Sequence, residues 1–371
     1  PRALAATDAN DNGVGVVPTK VTDDQIIAAI HKAKGVRVKA ANELGLHERS
    51  LLARLKRIKS KGHSIPESTY QPGHEVVNKG DYEFTPLPDD DVPIEELIEQ
   101  RKRKFAHKRE HEEASKLIPV RVKLDGPIGI LHFGDPHVDD DGCDIEAIER
   151  HTALVNKTKG LFAANVGDTT NNWCGRLARL YADQTTSAAQ AWRLAEWFVN
   201  RCNWLYMIGG NHDLWSGSGD PLKWIAKQQN ALYKASEARI ALRFPNGAEV
   251  RVNARHDHSG SSIWNPAHGP MKAALMGTRD HLYVAGHKHE SAYSVLKDAI
   301  SGITMHACKV ASYKIYDRYA KDRGFRDNSL SPCALTTINP TLPESHPDLI
   351  KVWWEPEEGA DYLRYLRSRS K

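Results

Sequence analysis

Cysteine is scarce in this chain and shows no pairing pattern. The five, Cys143, Cys174, Cys202, Cys308 and Cys333, are odd in number, widely spaced and form no Cys-x-x-Cys pair. That argues against a disulfide frame and a zinc ribbon, and for reduced thiols in a cytoplasm. No apolar run is long enough to span a bilayer, so no membrane partner is expected. No charged-then-apolar signal segment opens the sequence, and no internal repeat is present. What is there is globular in composition: 371 residues, 40% of them hydrophobic, with a mean hydropathy of −0.55. That length suits one large domain plus a small one.

Charge is uneven. Between His31 and Gly62 ten basic residues face two acidic ones, so this segment carries +8 while the whole chain carries only +4. The remainder is therefore net negative. Local positive charge is the footprint of nucleic-acid binding. Four regions are expected: a disordered leader over 1–20, a helical module over 21–63, a linker and charged helix over 64–117, and a large domain over 118–371. The leader is small, polar and rich in Gly, Asn and Asp. The linker is marked by Pro66, Pro72, Pro86, Pro88 and Pro93. The helix from Pro93 to Leu117 has acids first and Arg101 to Lys104 in its middle, and reads as a solvated spacer.

In the helical module, Thr22 and Gln25 can form a capping box, with Ile26, Ile27 and Ile30 as the buried face behind it. Gly45 stops a second helix, and a third starts near His47 with Leu51, Leu52, Leu55 and Ile58 on one face. Two helices on a tight Gly45-Leu46 turn, the second basic, make a helix-turn-helix signature. The stretch Ala40 to Leu46, followed by Ser50-Leu51, resembles the helix-turn-helix of Fis-like bacterial DNA-binding proteins. The resemblance places Arg49, Ser50, Ala53, Arg54 and Arg57 outward, toward DNA. A plain packing module with a solvated basic face is the alternative.

From Ile118 the pattern becomes short strands and longer helices. Strands are expected at 119–124, 127–133, 161–166, 203–208, 239–244, 248–255, 281–285, 293–298, 301–309 and 333–338. Helices are expected at 144–158, 174–200 with a break, 221–237, 266–277 and 357–368. Asn246-Gly247 marks a hairpin. This order suggests an α/β fold with two sheets packed face to face and helices outside.

Five apolar runs end in polar blocks. They are Asp135-Pro136-His137, Gly167-Asp168, Gly210-Asn211-His212-Asp213, His256 and Gly286-His287-Lys288-His289. In open α/β sheets the ligand site lies beyond the carboxyl ends of strands. Oxygen and imidazole donors without thiolate suit divalent ions such as Mn, Fe or Zn. An aspartate between two cations can bridge them, and two such ions can activate a water and clamp a phosphate.

The series resembles the calcineurin-like metallophosphoesterase superfamily over residues 126 to 310, in family order. The resemblance implies a two-sheet α/β/β/α metallophosphoesterase sandwich holding two divalent ions, manganese first, with iron or zinc as alternatives. It places Asp135, His137, Asp168 and His289 on one metal, and Asp168, Asn211, His256 and His287 on the other. It makes His212 the catalytic, non-ligand histidine, with Asp213 orienting its ring. His256 and His258 both follow their strand; His256, at the strand end, is preferred, and His258 is left to substrate or to the loop. Asn171 and Asn172 stand where an acid is often seen. Asp139, Asp140 and Asp141 read as a solvated loop and His132 as structural. His268 is either at the site mouth or at a helix start. Trp173, Trp192, Trp197, Trp215, Trp224 and Trp264 read mainly as helix packing rather than base stacking.

With the helix-turn-helix, this resemblance points to a DNA phosphodiesterase, similar to DNA-repair nucleases and to phage-encoded phosphoesterases. A phosphomonoesterase on protein or small molecules, and a non-catalytic DNA-binding regulator, are the alternatives. A homo-oligomer is left open.

Overall fold

The structure, a computed structural model, describes residues 21–66, 91–173, 175–214, 219–324 and 331–370. The expected leader at 1–20, residues 67–90 of the linker, Cys174 and Trp215 lie outside the described residues. The chain divides into two units, Pro1–Glu99 and Gln100–Lys371.

The first unit holds α1 (Asp23–Lys32), α2 (Arg37–Glu43) and α3 (Glu48–Ser60). The capping box forms: Thr22 N–H donates to Gln25 Oε1 at 2.9 Å and Gln25 N–H to Thr22 Oγ1 at 3.3 Å. Gly45 ends α2 with φ of +63°, a left-handed value that glycine adopts without strain. His47 caps α3 by accepting from Arg49 N–H at 3.3 Å. Ile26, Ala29, Ile30, Ala40, Ala41, Leu51, Leu55 and Ile58 form one core. Leu52 is not part of it: the three-helix packing takes Leu51, Leu55 and Ile58 and leaves Leu52 exposed. The charged helix, α4 (Ile94–Ser115), buries no residue, and at its end Ser115 Oγ accepts from Lys234 Nζ at 2.8 Å.

The second unit continues with β1 (Ile118–Arg121), β2 (Ile128–Phe133), α5 (Ile145–Lys157) and β3 (Leu161–Asn165). A 3-10 turn at Gly175–Asp183 precedes α6 (Ala188–Val199), which supplies the expected break. Then come β4 (Trp204–Ile208), α7 (Asn211–Leu214), α8 (Pro221–Gln228), β5 (Tyr233–Lys234), β6 (Glu237–Arg243) and β7 (Glu249–Arg255). The chain closes with α9 (His268–Met276), β8 (Leu282–Ala285), β9 (Ala292–Lys297), β10 (Thr304–Lys309), α10 (Arg318–Asp322), β11 (Cys333–Ile338), β12 (Ile350–Trp353) and α11 (Pro356–Arg369).

Two six-stranded sheets result, in the orders β1-β6-β7-β8-β10-β9 and β12-β11-β2-β3-β4-β5. Strands β2, β3 and β4 are parallel, so their carboxyl ends emerge on one side. In the other sheet β7 and β8 are parallel. Ile130, Ala164, Tyr206 and Ile208 from one sheet pack against Ile240, Val252, Val284 and Cys308 from the other. Outside, Ile148, Phe198, Leu222 and Leu363 of the helices cover the β2 sheet, while Ala274 of α9 covers Tyr283 and Met305. This is the expected α/β sandwich with two central sheets. Every residue of β2 is buried, because both of its faces are covered.

Two local expectations fail. The helix drawn over 221–237 ends at Gln228; Asn230 takes φ of +54°, and Tyr233 and Lys234 pair with Met207 and Ile208 instead. The strand β12 and the short α10 were not anticipated. The described cysteines Cys143, Cys202, Cys308 and Cys333 are free thiols, and no described helix is long and apolar enough to cross a membrane.

Candidate metal centre

The five polar blocks meet. Asp135 stands two residues beyond β2, Asp168 three beyond β3, Asn211 three beyond β4, His256 directly after β7 and His287 two beyond β8. Two clusters form among the described residues: Asp135, His137 and His289, and Asp168, His256 and His287, with candidate ligand atoms inside each within 4.8 Å of one another. Each cluster draws on both sheets.

The first cluster brings His137 Nε2 within 3.2 Å of His289 Nε2, and His289 Nε2 within 3.3 Å of Asp135 Oδ2. In the second, His256 Nε2 lies 3.1 Å from Asp168 Oδ2, 3.0 Å from Asn211 Oδ1 and 3.1 Å from His287 Nδ1. Asn211 thus lies at the edge of the second cluster. His258 joins neither; its ring packs edge-on to Tyr283, with centroids 5.8 Å apart.

The donor set fits a pair of divalent cations. His256 Nδ1 faces the Val166 carbonyl at 3.0 Å, so this nitrogen carries a hydrogen and Nε2 is the atom turned to the cluster. Ring nitrogens that face one another at these distances have nothing to gain from each other unless a cation or proton lies between them. Asp135 Oδ1 is buried without a hydrogen-bond partner, a costly state for a carboxylate oxygen. The electrostatics agree. Burial alone lowers the His256 pKa, yet the carboxylates of Asp168 and Asp135 raise it to about 10. Asp168 in turn is held low: burial opposes this, but His256 and His212 outweigh it. These carboxylates draw positive charge into the site.

Backbone strain gathers here as well. His137, Asp168, His287 and His289 take φ of 44°, 47°, 69° and 50°, left-handed values that cost side-chain-bearing residues energy and cluster at functional sites. Glycines allow the close approach. A Cβ on Gly210 would land on the Asp168 carboxylate, and one on Gly286 on Asp135.

His212 lies beside the second cluster, its ring Nε2 3.8 Å from Asp168 Oδ2 and its backbone N–H donating to Asp168 Oδ1 at 2.9 Å. The expectation for Asp213 needs correction. Its buried carboxylate accepts from Gly210 N–H at 2.9 Å and from Thr169 and Thr170 N–H at 3.2 Å, so it braces the turns that carry Asp168 and Asn211. The group that orients the His212 ring is the Asn171 carbonyl, 2.9 Å from Nδ1. Asn171 is itself fixed: its N–H donates to Asp139 Oδ1 and its Nδ2 to Asp140 Oδ2, both at 2.6 Å. Asp140 also pairs with buried Lys314 at 3.2 Å. Asp139 and Asp140 are therefore buried supports rather than solvated loop; only Asp141 is exposed. Burial pushes Asp139 up to about 6. Lys314 had no signal in the sequence.

His132 is structural as expected, buried between Tyr206 Oη at 2.8 Å and Thr336 Oγ1 at 2.9 Å. His268 is the first residue of α9. In the helical unit Arg49 and Ser50 are exposed. Arg54 is not outward: it is half-buried and donates to the Val21 carbonyl at 3.1 Å. Arg57 is exposed but pairs with Asp23 at 2.7 Å.

Residues 23–57 match the family described as bacterial regulatory protein, Fis family. No curated protein matches the chain. Among solved structures it is similar to a calcineurin-like phosphoesterase of Bacillus subtilis, at 12% identity and a TM-score of 0.34, over 66% of this chain and 98% of that one. It is also similar to the NAD nucleotidase of Haemophilus influenzae, at 11% identity and a TM-score of 0.34, over 61% of this chain and 49% of that one. A third is the 5'-nucleotidase of Candida albicans, at 10% identity and a TM-score of 0.32, over 66% of this chain and 54% of that one. The chain spans about half the length of the two nucleotidases. The two-part organisation holds: a Fis-type helix-turn-helix, then a two-sheet α/β unit.

Proposed function

We propose that this chain is a dinuclear metal-dependent phosphodiesterase acting on DNA, brought to it by the helix-turn-helix. The observation that carries the reading is the paired cluster, with the His212 imidazole at its edge. Asp135, His137, Asp168 and His289 would hold one divalent ion; Asp168, Asn211, His256 and His287 the other. Bound there, two such ions lower the pKa of a shared water and neutralise the phosphate. Manganese is the first candidate, with iron or zinc as alternatives.

His212 is assigned the leaving group. Its Nδ1 donates to the Asn171 carbonyl, which leaves Nε2 as the atom that holds or gives a proton. Asp139, Asp140 and Lys314 keep that carbonyl in place, and Asp213 keeps the two turns at their spacing. A structural metal site would need no such imidazole. For the DNA half, the match over 23–57 and the local charge of +8 support Arg49 and Ser50 at the start of α3 as contact residues, with Arg54 and Arg57 serving mainly to hold α3 against the start of α1.

The test is His212→Asn, assayed with Mn²⁺ on a phosphodiester and a phosphomonoester in parallel. The variant is expected to keep its metal by elemental analysis and to lose about 10²- to 10⁴-fold in turnover. Loss of metal would make His212 a ligand. Hydrolysis of the monoester alone would favour a phosphomonoesterase.

A further inference from the structure

Among the described tryptophans between the blocks, Trp173, Trp192 and Trp197 are half-buried, whereas Trp224 is 64% exposed and Trp264 89%. Its neighbour Ile263 is 87% exposed. Adjacent exposed apolar side chains make a contiguous patch, the kind of surface that marks an interaction site. Their loop is held at the rim of the metal centre at both ends. At one end Lys288, between His287 and His289, donates from Nζ to the Gly260 carbonyl at 3.3 Å. At the other, Lys309 Nζ lies 3.4 Å from the Pro266 carbonyl and 3.1 Å from Glu290, the residue after His289. Gly260 also packs against the stem of Lys272 and the ring of His268. So the loop that displays Trp264 is approached by Lys272 and Lys288 at Gly260, four residues before the tryptophan, and is fastened to the turn carrying His287 and His289.

We propose that this loop is a base-stacking element: Trp264 takes an unpaired nucleobase while Lys272 and Lys288 face the phosphates of the same strand. The proposal deepens the phosphodiesterase reading and rests on it for the direction of the strand toward the metals. The occupant follows from the chemistry. An exposed aromatic face on a loop that two cations approach suits a strand that is apolar on its bases and anionic along its backbone. The site should therefore take single-stranded or locally opened nucleic acid, since a base inside a duplex does not offer its face.

The test is a calorimetric titration of the full chain with a phosphorothioate-linked thymidine trinucleotide and its abasic counterpart. A single strand this short offers no major groove to the helix-turn-helix. The parent should bind the base-bearing strand more tightly than the abasic one. Trp264→Ala should weaken the first by roughly 5- to 100-fold and erase the preference; Trp264→Phe should keep most of it. Equal binding of the thymidine strand by parent and Trp264→Ala overturns the proposal, as does a parent that does not distinguish the two strands. Loss of self-association on sedimentation of Trp264→Ala, with trinucleotide binding intact, would make the loop a contact between copies instead. Hydrolysis of methyl p-nitrophenyl phosphate by the parent is followed separately. Its absence would sink the phosphodiesterase reading, while the titration still decides the loop.

Discussion

At the scale of single residues the site depends on what is missing from side chains as much as on what they carry. Gly210 has no Cβ, and the Asp168 carboxylate occupies that space. Gly210→Ala is therefore expected to displace Asp168 and lower bound metal in elemental analysis, with the secondary structure retained by circular dichroism. A full metal complement in that variant would contradict the close approach. His132 makes a different prediction. Burial lowers its pKa from 6.5 to about 3, so the folded state refuses a proton that the unfolded chain accepts. Above pH 6.5 both states are neutral and stability is unaffected. Between 6.5 and about 3 only the unfolded state is charged, and stability falls with pH by about 1.4 kcal/mol per unit for this one residue. His132→Gln should flatten the dependence of the urea midpoint on pH between 6.5 and 4 by about one proton. His151, His258 and His306, each lowered to about 4, maintain the remaining slope. An unchanged slope would mean that His132 is protonated in the folded state.

Elements carry the next set of consequences. Helix α3 divides its arginines: Arg54 and Arg57 reach back to Val21 and Asp23, whereas Arg49, Lys56 and Lys59 are exposed. Replacing the exposed three with alanine should weaken duplex binding and reduce its salt dependence by nearly one unit of slope per lost phosphate contact. Arg57→Ala should act chiefly by freeing the start of α1. If the triple variant binds as the parent does, α3 is a packing helix. The strands and four of the five polar blocks were legible because the apolar run ends in glycine and a donor, a pattern that is local in the chain; His256 follows Arg255 instead. The Asn171 carbonyl was not, since a backbone acceptor has no residue type to betray it. Lys314 reaches Asn171 across 143 positions, a separation over which no spacing rule operates. Asp139 and Asp140 looked solvated because three consecutive acids normally are; the buried amide and ammonium that neutralise them come from elsewhere in the fold. Residues 229–237 read as helix for a similar reason. The pairing of Tyr233 and Lys234 with β4 is a tertiary choice that overrides local preference.

For the molecule as a whole, what matters is that each cluster takes donors from both sheets: Asp135 and His137 with His289, and Asp168 with His256 and His287. An ion seated in either would act as a clasp across the sandwich; in the first case it would join segments about 150 residues apart, since His137 and His289 are 152 positions apart. Such a clasp is a ligand of the folded state only, because the unfolded chain does not hold these donors together. The holding power of the sandwich then becomes a function of free metal, rising by about 2.7 kcal/mol at a hundredfold excess over the dissociation constant. Chelation would reach beyond turnover: it would loosen the seam between the sheets, so that the same ions would set both how fast the protein works and how long it lasts.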